Sequence, residues 1–421
     1  MSIEFLDGIV RSQKGGGKLQ GIPSLCSAHP WALKTALRGS SHVLVESTCN
    51  QVNQFGGYTH MTPPDFVSYI YDIAAENGFP REHLILGGDH LGPSPWQDLP
   101  EELAMAYAAE LVQAYVRAGY SKIHLDASMK LADDDASLPL DPALAARRTA
   151  LLAKAAEAVA DRACAPRYVI GTEVPIPGGA TSHEDGVSVT QVQDVQRTLD
   201  ITHAAFVQAG LQSAWERVMA VVVQPGVEFG DDFVLDYDPA AASGLALFSE
   251  TTPIVYEAHS TDYQTEDHLR KLVQDHFAIL KVGPALTFAF REAVFALAMM
   301  ENELHPPADR SHLIETLENA MLEQPVHWKK HYHGSPEELA FARKYSLSDR
   351  ARYYWPAPAV QAALTKLLSN LAGLPIPLSL LSQYAPVVYQ QVRSGVLRNG
   401  PTSVVESAIQ AVLGVYQSAC S

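Results

Sequence analysis

Eight short apolar segments recur between residues 22 and 283, and this recurrence constrains the fold more than any other feature of the chain. Each segment is rich in Val, Ile or Leu, which is typical of strands that are covered on both faces. Stretches long enough for a helix lie between most of them, and residues 100–119 form the clearest one. The eight segments are residues 22–28, 43–48, 84–87, 122–127, 168–174, 219–224, 254–259 and 279–283.

This alternation predicts an α/β fold of the (β/α)8 type, a TIM barrel. A doubly wound sheet is the alternative, but no G-x-G-x-x-G motif follows the first segment. Strand signals stop after about residue 303. We therefore predict a barrel over residues 1–303 and a helical extension over residues 304–421 that packs on the barrel. Because 47% of the 421 residues are hydrophobic, the chain can bury a core of this size.

The charge balance argues against a nucleic-acid partner. The chain has 30 Lys and Arg against 47 Asp and Glu, a net charge of −17, whereas a duplex-binding protein needs Lys and Arg to neutralise phosphates. No apolar run reaches the ~20 residues that span a bilayer, and no phosphate-binding loop indicates a nucleotide. The four cysteines are scattered without a C-x-x-C pair, so we expect a reducing, cytoplasmic location and no disulfides.

Polar or ionisable side chains stand at seven of the eight predicted strand ends. In a parallel barrel the carboxyl ends of the strands face the side that carries the active site. We therefore expect these side chains to meet at one rim, although hydrogen bonding within the fold is the alternative for each one alone. The residues are Ser27, His29, Glu46, Asp89, His90, Asp126, Glu173, Gln224 and His259.

The segment 87–92, Gly-Gly-Asp-His-Leu-Gly, is the strongest single motif. Its adjacent Asp89 and His90 can divide their roles, since a neutral imidazole binds a metal and a carboxylate moves protons. His259 is the second candidate metal ligand, and Glu46 supplies a carboxylate for a third. Such a mixed set suits Zn, Mn, Co or Ni and does not choose among them.

Two further carboxylates, Asp126 and Glu173, are predicted to act in acid–base catalysis, with pairing to Lys or Arg as the alternative. The loop at 46–58 is dense in amides that suit the hydroxyls of a polyol, or else form an Asx-rich turn. Two arginines near residue 350 suit a phosphate clamp or, equally, a solvated helix start capped by Ser348. Lys281 ends the last strand, where a Schiff-base lysine is a further alternative. The candidate substrate-binding residues are Ser27, His29, Asn50, Gln51, Asn53, Gln54, Gln224, Ser260, Lys281, Arg350 and Arg352.

The chain resembles, nearly from end to end, the GatZ/KbaZ family, the Z-type subunit associated with class II tagatose-1,6-bisphosphate aldolase. The matching strings include residues 50–58, 87–93, 122–129, 171–175, 223–229, 256–264 and 280–288. The family looks like a relative of the class II ketose-bisphosphate aldolases, which implies a barrel and a divalent metal. By this resemblance Asp89 matches an acid–base aspartate, and His90 and His259 match zinc ligands. Glu173 matches a glutamate that precedes a Gly pair.

Two segments depart from the aldolase pattern. The aldolases have a third metal-binding histidine after the sixth strand, where this chain has Gln224 and no histidine. Their eighth strand ends in Lys-Val-Asn before a phosphate-binding loop, whereas here Lys281 is followed by Val, Gly and Pro. The metal shell and the phosphate site of this chain are therefore expected to differ from those of the aldolases.

Two functions follow as predictions. The resemblance implies a non-catalytic partner that supports the activity and stability of a separate class II aldolase subunit. Some family members resemble sugar-phosphate 4-epimerases, which interconvert D-fructose 6-phosphate and D-tagatose 6-phosphate. The charged residues expected at one rim favour such a divalent-metal-dependent epimerase. Such an enzyme would break and re-form the C3–C4 bond by retro-aldol and aldol steps without a nucleotide. Homo-oligomerisation is left open.

Overall fold

The computed structural model describes residues 2–171, 187–373 and 375–421. The barrel strands are β1 (Ile22–Leu25), β2 (Val43–Thr48), β3 (Leu84–Leu91), β4 (Lys122–Leu125), β5 (Arg167–Ile170), β6 (Val218–Val222), β9 (Val255–Ala258) and β10 (Phe277–Val282). Between β6 and β9, β7 (Glu228–Phe229) and β8 (Val234–Leu235) form a small antiparallel hairpin. The eight barrel strands are parallel and close in the order β1-β10-β9-β6-β5-β4-β3-β2, which confirms the predicted (β/α)8 fold.

Each predicted strand segment coincides with one barrel strand, although residues 172–174 of the fifth segment lie outside the described residues. The largest difference is in β3, which continues to Leu91. Asp89 and His90 therefore lie within this strand rather than after it. The extra length has partners on both sides, because Asp89 pairs with Thr48 of β2 and Leu91 pairs with Leu125 of β4.

Side chains along each barrel strand alternate between the barrel interior and the layer beneath the helices. In β2, Val43 and Val45 pack in the large core outside the barrel, whereas Leu44 packs in the interior. Glu46 comes two residues after Leu44 and so faces the interior as well. The same alternation in the other strands makes the interior apolar near the amino ends of the strands and charged near their carboxyl ends.

The helices of the described residues surround the barrel and continue beyond it. Helix α4 matches the predicted helix at 100–119, and its acidic first turn and terminal arginine both complement the helix dipole. The helices are α1 (Ser2–Lys14), α2 (Pro30–Gly39), α3 (Pro63–Glu76), α4 (Glu101–Arg117), α5 (Pro142–Glu157), α6 (Val192–Gln208), α7 (Gln212–Trp215), α8 (Pro239–Ser249), α9 (Glu266–Gln274), α10 (Pro284–Leu304), α11 (Leu313–Glu323), α12 (Pro336–Tyr345), α13 (Pro358–Ala372), α14 (Leu378–Tyr384), α15 (Pro386–Arg393) and α16 (Pro401–Cys420).

Helix α1 packs on the apolar end of the barrel interior. Its Leu6 and Ile9 belong to the same buried cluster as Leu44 and other inward-facing strand residues. Asp7 anchors this helix through an ion pair with Arg167 at the start of β5, with 2.6 Å between Oδ2 and Nη2. The interior is thus covered at its apolar end, which leaves the charged end for a site.

The helices after residue 304 pack on the side of the barrel. The last of them, α16, contacts β1 and the helices α2, α9 and α10. Tyr416 Oη donates a hydrogen bond to the Thr261 carbonyl oxygen at 2.7 Å, and the Gly21 N–H donates to the Cys420 carbonyl oxygen at 2.9 Å. The division of the chain near residue 303 stays a prediction. Among the described residues, no helix combines the length and the apolar character that a membrane crossing requires.

Candidate functional site

A cavity of about 350 Å³ opens at the carboxyl ends of the barrel strands. Residues from the barrel and from the extension line it together, the latter through Val326, His327, His331 and the short 3-10 turn Arg350–Tyr353. Nine of the predicted site residues lie on its wall: Asn50, Gln51, Asp89, His90, His259, Ser260, Lys281, Arg350 and Arg352. The structure therefore brings these residues together, while their individual roles stay predictions.

Three predicted amides lie away from the cavity wall and brace loops instead. Asn53 Nδ2 donates to the Cys49 carbonyl oxygen at 3.0 Å, and its Oδ1 accepts two backbone N–H groups of the same loop. Gln54 Nε2 donates to the Tyr107 carbonyl oxygen at 3.0 Å. Gln224 Oε1 accepts the backbone N–H two residues further on at 2.8 Å. The side chain of Asn53 thus forms the Asx-type turn that was the alternative to sugar binding for this loop.

Two more candidates, Ser27 and His29, also contact the fold rather than the cavity. Ser27 Oγ accepts the backbone N–H of His29 at 3.2 Å, and the His29 ring lies 4.3 Å from the ring of Phe290. Burial lowers the pKa of His29 to about 3, so its imidazole is neutral at physiological pH. Glu173 lies outside the described residues, and its role stays a prediction.

A candidate metal centre is formed by four buried residues of three strands and their ends: Asp89, His124, Glu257 and His259. One donor atom from each lies within 4.8 Å of all the others. His124 Nδ1 is 3.0 Å from Asp89 Oδ1, while its Nε2 is buried without a hydrogen-bond partner. His259 Nε2 is 3.0 Å from Glu257 Oε1.

These four residues fit a divalent cation. The Nδ1 atom of His124 is engaged by Asp89 and by the backbone N–H of His90 at 3.2 Å, and its Nε2, unpartnered in the described part of the chain, is the nitrogen left for a metal. Two histidines with carboxylates are donors for Zn, Mn, Co or Ni. Of the three ligands predicted from the sequence, His259 belongs to this cluster, whereas His90 and Glu46 lie beside it with other partners.

His90 is held by a carboxylate behind it. Its Nδ1 lies 2.9 Å from Asp126 Oδ2, and its ring is 5.0 Å from that of His259. Burial lowers the pKa of His90, but the charges of Asp89 and Asp126 outweigh burial and raise it. His90 also has a φ of 49°, the left-handed region that a non-glycine residue adopts at some energetic cost. Asp126 thus orients His90 instead of facing the cavity.

Two buried lysines neutralise the interior carboxylates. Lys122 Nζ is 2.7 Å from both Glu46 Oε1 and Glu257 Oε2, and all three side chains are inaccessible to solvent. Lys281 Nζ contacts Asp89 and lies 3.3 Å from Glu46 and 3.3 Å from Glu257. Glu46 is therefore shared between two ammonium groups, and its position next to the metal cluster is that of a charge partner.

The surroundings of Lys281 bear on the Schiff-base alternative. Burial lowers its pKa, but the charge of Asp89 and the neighbouring groups outweigh burial and hold the pKa well above its usual range. An amine must lose its proton before it attacks a carbonyl group. The site keeps Lys281 charged, which disfavours a Schiff base.

The turn Arg350–Tyr353 is not a solvated helix start. Arg350 is buried, and the residue at the cap position is Asp349, whose side chain makes no capping hydrogen bond. Ser348 Oγ instead donates to Asp231 Oδ1 at 3.1 Å, which ties the turn to the loop of the β7–β8 hairpin. The segment therefore lacks the solvated basic face of the second alternative, and the phosphate clamp stays a prediction.

A sequence profile described as "D-tagatose-1,6-bisphosphate aldolase subunit GatZ/KbaZ-like" matches residues 6–421. The chain belongs to the GatZ/KbaZ-like family. Relatives from Salmonella heidelberg and Salmonella typhimurium, both named D-tagatose-1,6-bisphosphate aldolase subunit GatZ, are 51% identical over 419 residues, or 98% of either chain. The resemblance stated from the sequence is thereby confirmed.

A solved structure extends the comparison to three dimensions. A protein from Sinorhizobium meliloti 1021, titled a probable tagatose 6 phosphate kinase, is 46% identical, with a TM-score of 0.88. The match covers 95% of this GatZ/KbaZ-like chain and 100% of the other. The barrel with its extension is therefore an architecture that this relative shares.

Sequence reasoning missed two members of the metal cluster, His124 and Glu257. Each lies two residues before a predicted site residue, Asp126 or His259, on the same strand run. Because side chains two apart on a strand face the same side, this spacing places both in the barrel interior. The alternation along these two strands therefore marks both residues, which the strand ends alone do not.

Proposed function

We propose that this chain binds a ketose phosphate at the barrel mouth and interconverts D-fructose 6-phosphate and D-tagatose 6-phosphate by retro-aldol and aldol steps. The observation that carries the proposal is the cluster of Asp89, His124, Glu257 and His259 next to a polar cavity. A metal-dependent aldol reaction needs an ionised carboxylate and a divalent cation close together, and this cluster has a carboxylate beside donor atoms that would hold the cation.

We assign to Asp89 the acceptance of the C4 hydroxyl proton because it lines the cavity and belongs to the cluster. Burial raises its pKa, but the charges of His90 and Lys281 and the hydrogen bond with His124 outweigh burial, so the carboxylate stays ionised. His124, Glu257 and His259 then remain to hold the cation, which supplies positive charge for the developing enediolate. Asn50 and Gln51 line the cavity, and their amides suit sugar hydroxyls.

The proposed reaction is balanced without a further reactant. As Asp89 takes the C4 hydroxyl proton, the C3–C4 bond breaks, and its electron pair moves to the C2 carbonyl to give an enediolate and an aldehyde. The aldehyde turns over, and the enediolate carbon attacks its opposite face. The new C4 oxygen recovers the proton from Asp89, so the product is the C4 epimer with the same atoms and charge.

The test is direct. Purified protein supplied in turn with Mg, Mn, Zn, Co or Ni is incubated with D-fructose 6-phosphate, and D-tagatose 6-phosphate is measured by chromatography. Asp89→Asn should abolish the conversion, whereas Asp135→Asn, at an exposed carboxylate outside the cavity, should not. Absence of the epimer with all five metals would reject the proposal.

A second candidate function is favoured by the names of the relatives. Proteins 51% identical over 98% of this chain are named as a subunit of tagatose-1,6-bisphosphate aldolase, so we propose that this chain also supports a separate class II aldolase chain. The comparisons favour this role over the epimerase, whereas the cavity favours a chemistry of the chain itself. A cytoplasmic location and self-association remain predictions of the sequence.

The two functions separate in one experiment. A purified class II tagatose-bisphosphate aldolase is incubated with and without this chain, and its activity and half-life are followed. If this chain is a supporting subunit, both wild type and Asp89→Asn should prolong aldolase activity, because a surface interaction does not need this carboxylate. If neither protein changes the aldolase, the subunit role is rejected.

A further inference from the structure

We infer that the extension supplies the phosphate-binding half of the site, through a basic wall formed by Arg350, Arg352, His327 and His331. This inference rests on the proposed function in that the bound molecule is a ketose phosphate. It goes further by assigning the phosphate group to one side of the cavity, and the carbon skeleton to the other. All four residues line the cavity that Asp89 and His259 also line.

Within the described part of the chain, the two arginines of the wall donate hydrogen bonds to uncharged oxygens. Arg350 is 6% exposed, and its Nε is buried without a hydrogen-bond partner. Its Nη1 donates to the carbonyl oxygen of His327 at 3.2 Å. Arg352 donates to the carbonyl oxygens of Ser348 and Asp349 and, at 2.9 Å, to Tyr353 Oη. Neither guanidinium forms an ion pair with a carboxylate of the described part of the chain.

The neighbouring acids are already engaged. Asp349 accepts a hydrogen bond from Thr287 Oγ1 at 2.6 Å and pairs with Arg291, whose Nε is 3.3 Å from its Oδ1. Asp231 accepts the hydroxyl of Ser346 at 2.7 Å. Buried charges in proteins are normally paired, so the buried guanidinium of Arg350 and the half-buried one of Arg352, which share one cavity without a carboxylate, call for an anion from outside.

The electrostatics of the wall agree with this. Burial lowers the pKa of Arg350, and the charge of Arg352 lowers it further. Burial and then the two arginines lower the pKa of His331 to about 4. Burial lowers the pKa of Arg352 as well, but Tyr353, Tyr58 and Asp349 outweigh burial and raise it. Additional positive charge is therefore disfavoured at Arg350 and His331, and an anion beside them would relieve that repulsion.

Another position at the same rim that could bind an anion, the N-terminus of α10, already has a partner. Helix α10 begins at the cavity, and a helix N-terminus is a ready place for a phosphate. Here the Asp262 carboxylate accepts the N–H groups of Gly283 and Ala285 at 2.9 and 2.8 Å. The N-terminus of α10 is therefore capped by a negative side chain, which leaves the basic wall for the anion.

The chemistry of the wall indicates a phosphate monoester. Guanidinium groups match the geometry of phosphate oxygens, and two of them balance the two charges of a phosphate dianion. The neutral imidazoles of His327 and His331 add hydrogen-bonding capacity. A terminal carboxylate carries one charge and would leave one arginine unbalanced.

Binding is tested by calorimetry on the full chain with D-fructose 6-phosphate, D-fructose and inorganic phosphate. Wild type should bind fructose 6-phosphate at least tenfold more tightly than fructose, and inorganic phosphate should raise its melting temperature. Arg350→Gln and Arg352→Gln should each weaken fructose 6-phosphate binding at least tenfold. A ketose with a terminal carboxylate in place of the phosphate should bind more weakly than fructose 6-phosphate.

The matched control is Arg343→Gln, at a buried arginine outside the cavity that pairs with Glu318 at 2.5 Å. This variant should lose stability and keep ligand affinity, whereas Arg350→Gln should keep or gain stability because an uncompensated charge is removed. Equal binding of fructose and fructose 6-phosphate would overturn the inference, as would unchanged affinity in both wall variants. Because binding is measured, phosphate recognition without epimer formation would reject the epimerase and leave the basic wall standing.

Discussion

Lys122 is the position at which the charged barrel interior can be tested most sharply. Its ammonium lies 2.7 Å from Glu46 and 2.7 Å from Glu257, and none of the three side chains is accessible to solvent. Lys122→Met keeps nearly the same side-chain volume but removes the positive charge. Each of the two buried carboxylates then loses its closest ammonium group, and the more distant ammonium of Lys281, at 3.3 Å from each, remains beside them.

The expected loss can be worked from these distances. At 2.7 Å and an effective dielectric of ~20, each pair attracts by about 6 kcal/mol before any desolvation cost. Burying the Lys122 ammonium costs several kcal/mol of lost hydration, which offsets part of this attraction. Removing one partner of a buried pair typically costs about 3–5 kcal/mol in unfolding free energy, and we expect Lys122→Met to fall in this range.

The assay is urea unfolding followed by tryptophan fluorescence and circular dichroism at neutral pH. Glu46→Gln and the double variant Lys122→Met/Glu46→Gln complete a cycle. The double variant should recover part of the loss, because one uncompensated carboxylate is gone. A loss below about 1 kcal/mol for Lys122→Met, well under the usual cost of breaking a buried pair, would refute the reasoning, and so would a double variant less stable than Lys122→Met alone.

Three further predictions concern pH and metal binding. Burial raises the pKa of Glu228 to about 6, so the stability that this group contributes is present below its unfolded pKa and is lost as pH rises through about 6. Relative to Glu228→Gln, wild type should therefore lose about 2 kcal/mol of unfolding free energy between pH 4.5 and 7.5; a difference that does not vary with pH would contradict this. His124→Ala and His259→Ala should each lower the zinc or manganese content measured by mass spectrometry, whereas His42→Ala, outside the cluster, should not; unchanged content in both would remove them as ligands. Lys281→Met should bind Mn²⁺ at least tenfold more tightly in a chelator competition, because its ammonium contacts two carboxylates of the cluster; weaker binding would show that it helps to hold the ion.

The barrel and much of its rim could be predicted because both follow from local patterns. Short apolar runs mark strands, and the carboxyl ends of parallel strands share one face. This is why Asp89, His90 and His259 were expected to lie together, as they do. The same argument selected Gln224, but its side chain folds back onto its own loop. The position of a residue at a strand end does not determine the hydrogen-bond partner of a flexible amide side chain.

The extension shows where local patterns stop being informative. Arg350 reaches the cavity because the turn before it is anchored to distant parts of the chain. The Leu347 N–H donates to the Asp231 carbonyl oxygen at 2.8 Å, and Asp349 pairs with Arg291 on α10. These contacts join residues more than 50 positions apart, so a phosphate clamp and a solvated helix start were equally compatible with the sequence.

The central claim is that this chain has a ketose-phosphate chemistry of its own, and it is tested most directly by epimerisation in D₂O. Purified, metal-supplied protein is incubated with D-fructose 6-phosphate in the absence of any aldolase, and the products are followed by NMR. Cleavage and re-formation of the C3–C4 bond leave the hydrogen on C4 in place, so we expect D-tagatose 6-phosphate without deuterium at C4. Deuterium at C4, or no epimer at all, would contradict the account.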